Sequence, residues 1–245
     1  MKFGVMFDFS DPTQWRRPDP ALYRSHLDEI VRLEELGYHN VWLTDHHFVE
    51  DGYNPSVLSV AAAIAVRTSR IRIGTFVLLL PFHNPVRVAE DAICIDILSS
   101  GRFDLGVGQG YRAEEFAALN IPRAERSARL AEAIELIHRL FKEKAITLED
   151  KYNHVNGMTL YPRPVQPNGP PIWIGCARRR RPNAPRGWAF ICWRRSGRTR
   201  RFRIRRRCAS SGVTRRTSTS RNSALCTSRA RWIKRGTRPR RTCTA

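Results

Sequence analysis

The chain has 245 residues, 42% of them apolar, enough for one large domain or two small ones with a sizeable core. Its formal net charge of +21 describes neither part: residues 1–176 hold 19 Lys+Arg against 22 Asp+Glu, and residues 177–245 hold 24 Lys+Arg and no acid. A slightly acidic body excludes a chain that acts as a polycation throughout, and a polyanion partner is left only the tail.

The opening KFGVMFDF reads as a strand, and its acid stands where a secretory leader needs an apolar run. With no stretch apolar and long enough to span a bilayer, a cytoplasmic location without membrane contact is the expectation. A first helix is predicted from Ala21 to Leu36. Asp19-Pro20 signals its start, Leu27, Ile30 and Val31 form its apolar stripe, and Gly37 stops it. NVWLTD is a second strand. Asn54-Pro55 opens a second helix, whose run VLSVAAAIAV is rich in small residues.

IRIGTFVLLL is a third strand, apolar enough to be covered on both faces. Asn84-Pro85 starts a third helix running towards Ser99, with Cys94 expected in the core as a small apolar residue. RFDLGVG is a fourth strand. A fourth long helix is predicted over Arg126 to Phe141, with Leu130, Ile134, Ile137 and Phe141 on one face. A polar connection containing YPRPVQPNGP leads to a fifth strand, PIWIG. The five cysteines from Cys176 onward include no C-x-x-C pair, so neither a zinc site nor a disulfide framework is indicated.

Strand-helix repetition predicts an α/β fold with a parallel sheet, doubly wound or closed as a (β/α)8 TIM barrel. A barrel typically takes about 250 residues, and the fifth strand is reached by residue 175; the barrel is the expected architecture. Either way the chemistry belongs at the C-terminal ends of the strands.

Two such ends stand out. TDHHFVEDG follows the second strand, and extended backbone turns His46 and His47 to opposite sides. One of them can act as a general acid or base. The pair can equally cap a helix or sit satisfied in the core. A metal reading, by analogy with phosphoesterases carrying Asp-His-His, needs further carboxylate clusters. Asp91 and Asp96 fall inside a helical pattern instead, and no metal ligand set is assigned. GVGQGYRAEEF follows the fourth strand. There Gly106, Gly108 and Gly110 let backbone N–H groups approach an anion, or merely make a tight turn. LLLPFHNP, after the third strand, is an apolar rim suited to a flat ligand or to ordinary packing.

These stretches, WLTDHHF, RIGTFVLLLPFHNPVRVAED, LSSGRFDLGVGQGYRAEEF and YPRPVQPNGPPIWIG, resemble the bacterial luciferase-like flavin-dependent monooxygenases in order and spacing. The resemblance implies a TIM barrel holding reduced FMN, or in one branch a deazaflavin coenzyme, at its mouth. It matches His46 to the catalytic histidine, and Phe76 and Val77 to a pair whose unusual peptide bond backs the flavin ring. Gly108, Gln109 and Gly110 match the strand end beside the flavin. Bacterial luciferase has a cysteine and an arginine at the first two of these, and Gln109 lacks that arginine's charge. The implied chemistry is oxygenation of a small organic substrate with dioxygen, a flavin reductase supplying reduced flavin. A homodimer through the second and third helices is expected too.

The tail starts abruptly at Arg178–Arg181. It is either a disordered arginine-rich arm, binding nucleic acid non-specifically, or an out-of-frame translation. The codons of Gly187–Trp193, shifted by two bases, permit Leu/Val/Met-Gly-apolar-His/Tyr-Leu/Met-Leu, an apolar strand. No further strand-helix unit is legible after Gly175. The expectation is therefore a partial barrel over 1–176, truncated after its fifth strand by a frameshift near residue 176. A tail over 177–245 follows, and the chain is expected to be impaired or inactive.

Overall fold

The computed structural model describes residues 2–176, 189–196 and 199–205. Strand β1 (Gly4–Phe7) leads into helix α1 (Asp19–Glu35), with Pro20 in its first turn and Gly37 just past its end at φ +80°. Leu22, His26, Ile30 and Glu34 are buried at steps of four, so α1 presents one face inward. Strand β2 (Asn40–Leu43) follows, then α2 (Val57–Arg67), β3 (Arg72–Thr75) and the two-residue β4 (Leu78–Leu79). Helix α3 (Pro85–Leu98) begins where the Asn84 side chain accepts hydrogen bonds from the N–H groups of Val86 and Arg87.

Strand β5 (Phe103–Gly108) is followed by the short α4 (Ala113–Ala118) and the long α5 (Arg126–Lys142). A hairpin of β6 (Ile146–Glu149) and β7 (His154–Met158) precedes β8 (Ile172–Cys176), β9 (Ala189–Ser196) and β10 (Thr199–Arg205). The main sheet has the order β1-β2-β3-β5-β8-β9-β10, with β4 added alongside β5. Every pairing on this path is parallel except β9 with β10, which is antiparallel. Neighbours in the sheet follow chain order without reversal, which is the order of a barrel rather than of a doubly wound sheet. Among the described residues no pairing joins β10 back to β1, so the sheet keeps two ends.

The two faces of the sheet differ in chemistry. Val41, Leu43, Ile73, Phe103, Leu105 and Val107 alternate onto the outer face, in one core with Ile64, Ala89, Ala92, Ile93, Ile137 and Leu140 of the helices. On the inner face Trp42, Gly74 and Asp104 share one register row. Here Gly74 is required, because a Cβ would lie 2.3 Å from the Trp42 ring. Asp104 accepts from Arg72 Nε at 2.8 Å and from Trp173 Nε1 at 3.2 Å, tying β3, β5 and β8 together inside the curve.

Several expectations are corrected. The apolar run IRIGTFVLLL is not one strand; it breaks after Thr75, at the Phe76–Val77 peptide bond, which is cis and so has the unusual geometry expected of it. The polar connection before the fifth strand contains the β6–β7 hairpin. Helix α2 starts at Val57, two residues after Pro55. Cys94 is exposed, not core, because the buried stripe Val88, Ala89, Ala92, Ile93 and Asp96 occupies the opposite side of α3. The strands do not stop at Gly175, since β9 and β10 extend the sheet. The expected disorder of the tail concerns 177–188, 197–198 and 206–245, outside the described residues, as does the stretch Arg178–Arg181 proposed for nucleic acid.

Candidate functional site

The parallel strands point their C-terminal ends to one mouth, and the segments after β2, β3 and β5 converge there. Beyond Leu43 the chain runs through Thr44, Asp45, His46 and His47. The Thr44 N–H donates to Phe7 O at 3.0 Å and the His46 N–H to Asn54 O at 3.4 Å. The two histidines face different surroundings. His46 lies between the rings of Tyr53 and Tyr111, at 4.9 and 5.4 Å between centroids, while His47 meets Phe82 at 5.8 Å and His83 at 6.3 Å.

Glu115 joins them from α4. Its side chain is fully buried, and Oε1 accepts from His46 Nδ1 at 2.9 Å and from the His47 N–H at 3.0 Å. An ionised carboxylate only accepts, so the proton of neutral His46 resides on Nδ1. Nε2 then carries the lone pair, and the Tyr111 hydroxyl donates to it at 3.1 Å. Arg112 stands 3.7 Å from the same Glu115 oxygen and offsets its charge. The His46 side chain keeps 18% of its surface exposed, and this edge can accept or deliver a proton at the mouth.

Asp45 is buried, with Oδ2 accepting from the Leu79 N–H at 3.0 Å. Burial, opposed by that hydrogen bond and reinforced by the charge of Glu115, pushes its carboxyl up to about 7. Burial also lowers His47 below the usual imidazole value, and burial with neighbouring His47 takes His83 down to about 4.

Phe76 and Val77 occupy the step between β3 and β4. Phe76 is buried, edge-on to Trp42 at 6.2 Å, while Val77 is half-buried and reaches across two neighbouring strands. A Cβ on Gly108 would come within 2.4 Å of Val77 Cγ2, and one on Gly175 within 2.8 Å of Cγ1. Gly108 is therefore needed to seat Val77. Gly106 admits the Thr75 carbonyl, which a Cβ would approach to 1.9 Å, and Gly110 adopts φ +71° against the Phe116 ring. Each glycine of the turn thus has a packing reason. Gln109 projects towards α5, where its Oε1 accepts from Ser127 Oγ at 2.7 Å.

The structure thus brings His46, Val77 and Gly108 to one mouth, with Phe76 beneath, Gln109 turned to α5 and Gly110 turning the chain towards α4. Val77 offers an apolar surface beside Gly108, and the segment after β2 brings the His46–Tyr111 pair to the same mouth, so that an apolar step and a polar edge, one that a flat heteroaromatic ring could use, belong to neighbouring strand ends. Sequence reasoning passed over Glu115, Tyr111, Asp45 and His83. Glu115 is 69 residues from His46 and reads as an ordinary helix acid; the signal for its burial was its place beside Phe116, right after the glycine turn.

Residues 1–182 match the family model described as luciferase-like monooxygenase. The 4-hydroxyprotoasukamycin monooxygenase of Streptomyces nodosus subsp. asukaensis is 36% identical over 161 residues, covering 65% of this chain and 43% of that protein. An F420-dependent glucose-6-phosphate dehydrogenase of Kineococcus radiotolerans is 37% identical over 155 residues, covering 60% of this chain and 45% of that one. The crystal structure of monooxygenase RslO1 from Streptomyces bottropensis superposes with a TM-score of 0.65 at 33% identity, over 72% of this chain and 54% of that one. The chain spans about half the length of these relatives.

Proposed function

The chain belongs to the luciferase-like monooxygenase family, and on that premise we propose that its mouth holds reduced FMN against Val77 for the oxygenation of a small organic substrate. When bound, the flavin supplies the electrons that activate dioxygen. Everything else falls to this chain's residues. Val77, seated on Gly108, and Phe76 form the apolar backing that excludes water from one ring face. His46 moves a proton at Nε2, held in the required tautomer by Glu115 and met by the Tyr111 hydroxyl. Gln109 and Gly110 are placed beside the flavin through their backbone, because the Gln109 side chain is bound to Ser127 on α5. The observation that carries this reading is His46 at a strand end, its ring held by the buried carboxylate of Glu115.

A deazaflavin coenzyme with hydride transfer is the second reading, favoured by the F420-dependent relative at 37% identity. A flavin reductase is the proposed source of reduced FMN. A homodimer through α2 and α3 is proposed as well, and Val66, Ile97 and Leu98 are exposed apolar residues on those helices. No helix among the described residues is long and apolar enough to cross a membrane. Cytoplasmic location remains our proposal.

Turnover by this chain is proposed to be impaired. Its described sheet does not close, and a frameshift near residue 176 is our reading of the acid-free remainder. The test is rapid mixing of the protein, loaded with reduced FMN, with dioxygen. Flavin reoxidation should be altered by the protein and by His46→Gln, and identical traces for protein-loaded and free FMN contradict the proposal.

A further inference from the structure

Beneath the mouth lies a second cluster that the flavin reading leaves unused. Asp45 and His47 come from the segment after β2. His83 comes from the turn after β4, where its N–H donates to Leu80 O at 3.0 Å. One ligand atom from each of the three residues lies within 4.8 Å of the others. Asp45 spends Oδ2 on the Leu79 N–H, which leaves Oδ1 to the cluster, 3.4 Å from His47 Nε2. Asp45 Oδ1, His47 Nε2 and His83 Nε2 are all buried and make no hydrogen bond.

Buried polar atoms without a hydrogen bond are rare, and three of them within reach of one another are a stronger signal than any single one. Two imidazoles and a carboxylate are also a recurrent donor set for first-row divalent ions, as in catalytic zinc sites and the two-histidine, one-carboxylate iron sites. Ligand bonds of about 2.0–2.2 Å require the donors to close in by roughly an ångström. Side-chain rotation of His83 and His47 supplies that movement, while the main chain of His47 is held by Glu115 and that of His83 by Leu80.

We propose that Asp45, His47 and His83 bind one first-row divalent cation of the zinc type, clamping the end of β2 to the segment after β4. The clamp would brace both arms of the mouth, the one bearing His46 and the one bearing Val77. It depends on neither flavin nor substrate, so it stands or falls apart from the function proposed above.

The test uses the full untagged chain, stripped of metal and titrated with Co2+ as a visible probe. The expected result is one equivalent bound, ligand-field absorption without thiolate charge-transfer bands, displacement by Zn2+ and a raised Tm. X-ray absorption of the Zn2+ form should show two imidazoles and no sulfur, a readout that needs no variant. His83→Ala and Asp45→Asn should each weaken binding by more than about 100-fold, because losing a ligand exceeds the usual second-shell effect. His138→Ala, on α5, should leave binding unchanged. No stoichiometric uptake, sulfur ligation, or full affinity in folded His83→Ala and Asp45→Asn would each overturn the proposal.

Discussion

Replacing Glu115 tests whether the mouth is built to present one tautomer of His46. The carboxylate is fully buried and accepts two hydrogen bonds on one oxygen, from His46 Nδ1 at 2.9 Å and the His47 N–H at 3.0 Å. A hydrogen bond to a charged group contributes about 1.5–3 kcal/mol. At about 1.4 kcal/mol per factor of ten, its loss relaxes the tautomer preference by roughly 10–150-fold. Glu115→Ala also strands the His47 N–H, which costs about 1–3 kcal/mol of stability. Glu115→Gln keeps an oxygen acceptor and should preserve most of the stability while weakening the tautomer preference. The assay is nitrogen NMR of histidine-labelled protein, which separates Nδ1–H from Nε2–H imidazole directly. Nδ1–H should dominate for His46 in the parent and mix with the other form in Glu115→Ala, and flavin reoxidation should slow in proportion to the Nδ1–H fraction lost. Unchanged tautomer populations in a folded Glu115→Ala protein would refute the reasoning.

Three further outcomes are expected. Burial opposes charge on Glu34, but hydrogen bonds from the N–H groups of Ile71, Arg70 and Ser69 outweigh it and hold its carboxyl below the ordinary 4.5. The stability it contributes is therefore complete above that value and is lost as pH falls through the lowered one. Urea titrations should show Glu34→Gln costing about 1–3 kcal/mol at pH 7, and progressively less as the parent's carboxylate protonates. Gly108→Ala forces Val77 aside and should cost about 1–3 kcal/mol, read as a lower Tm. Adding Val77→Ala should restore part of it. Coding DNA read two bases out of frame opposite Gly187–Trp193 should continue with an apolar strand, and a stop codon in that frame contradicts the frameshift.

What was legible in the sequence followed local rules. Asp19-Pro20 and Asn84-Pro85 mark helix starts because proline suits only the first turn, and α1 and α3 begin within a residue or two of them. The parallel order followed from strand-helix repetition. The break after Thr75 was hidden, because Leu78 to Leu80 stay buried on the far side and the run remains apolar throughout. The β6–β7 hairpin escaped notice because its strands bury little besides Ile146 and Val155. In the site, His46 announced itself beside His47 at a strand end. Its orienting partner did not, since Glu115 meets it only through the tertiary fold. His83 was likewise invisible as a neighbour of Asp45 until β4 turned it inward.

Flavin binding at the Phe76–Val77 step is the central requirement of the proposed function. Trp42 lies 6.2 Å from Phe76 beneath the platform, so its fluorescence should report a ring placed on Val77. Anaerobic titration with reduced FMN, and separately with a reduced deazaflavin coenzyme, should give saturable one-to-one quenching with at least one of them, weakened by Val77→Glu. Folded protein that binds neither would contradict the account.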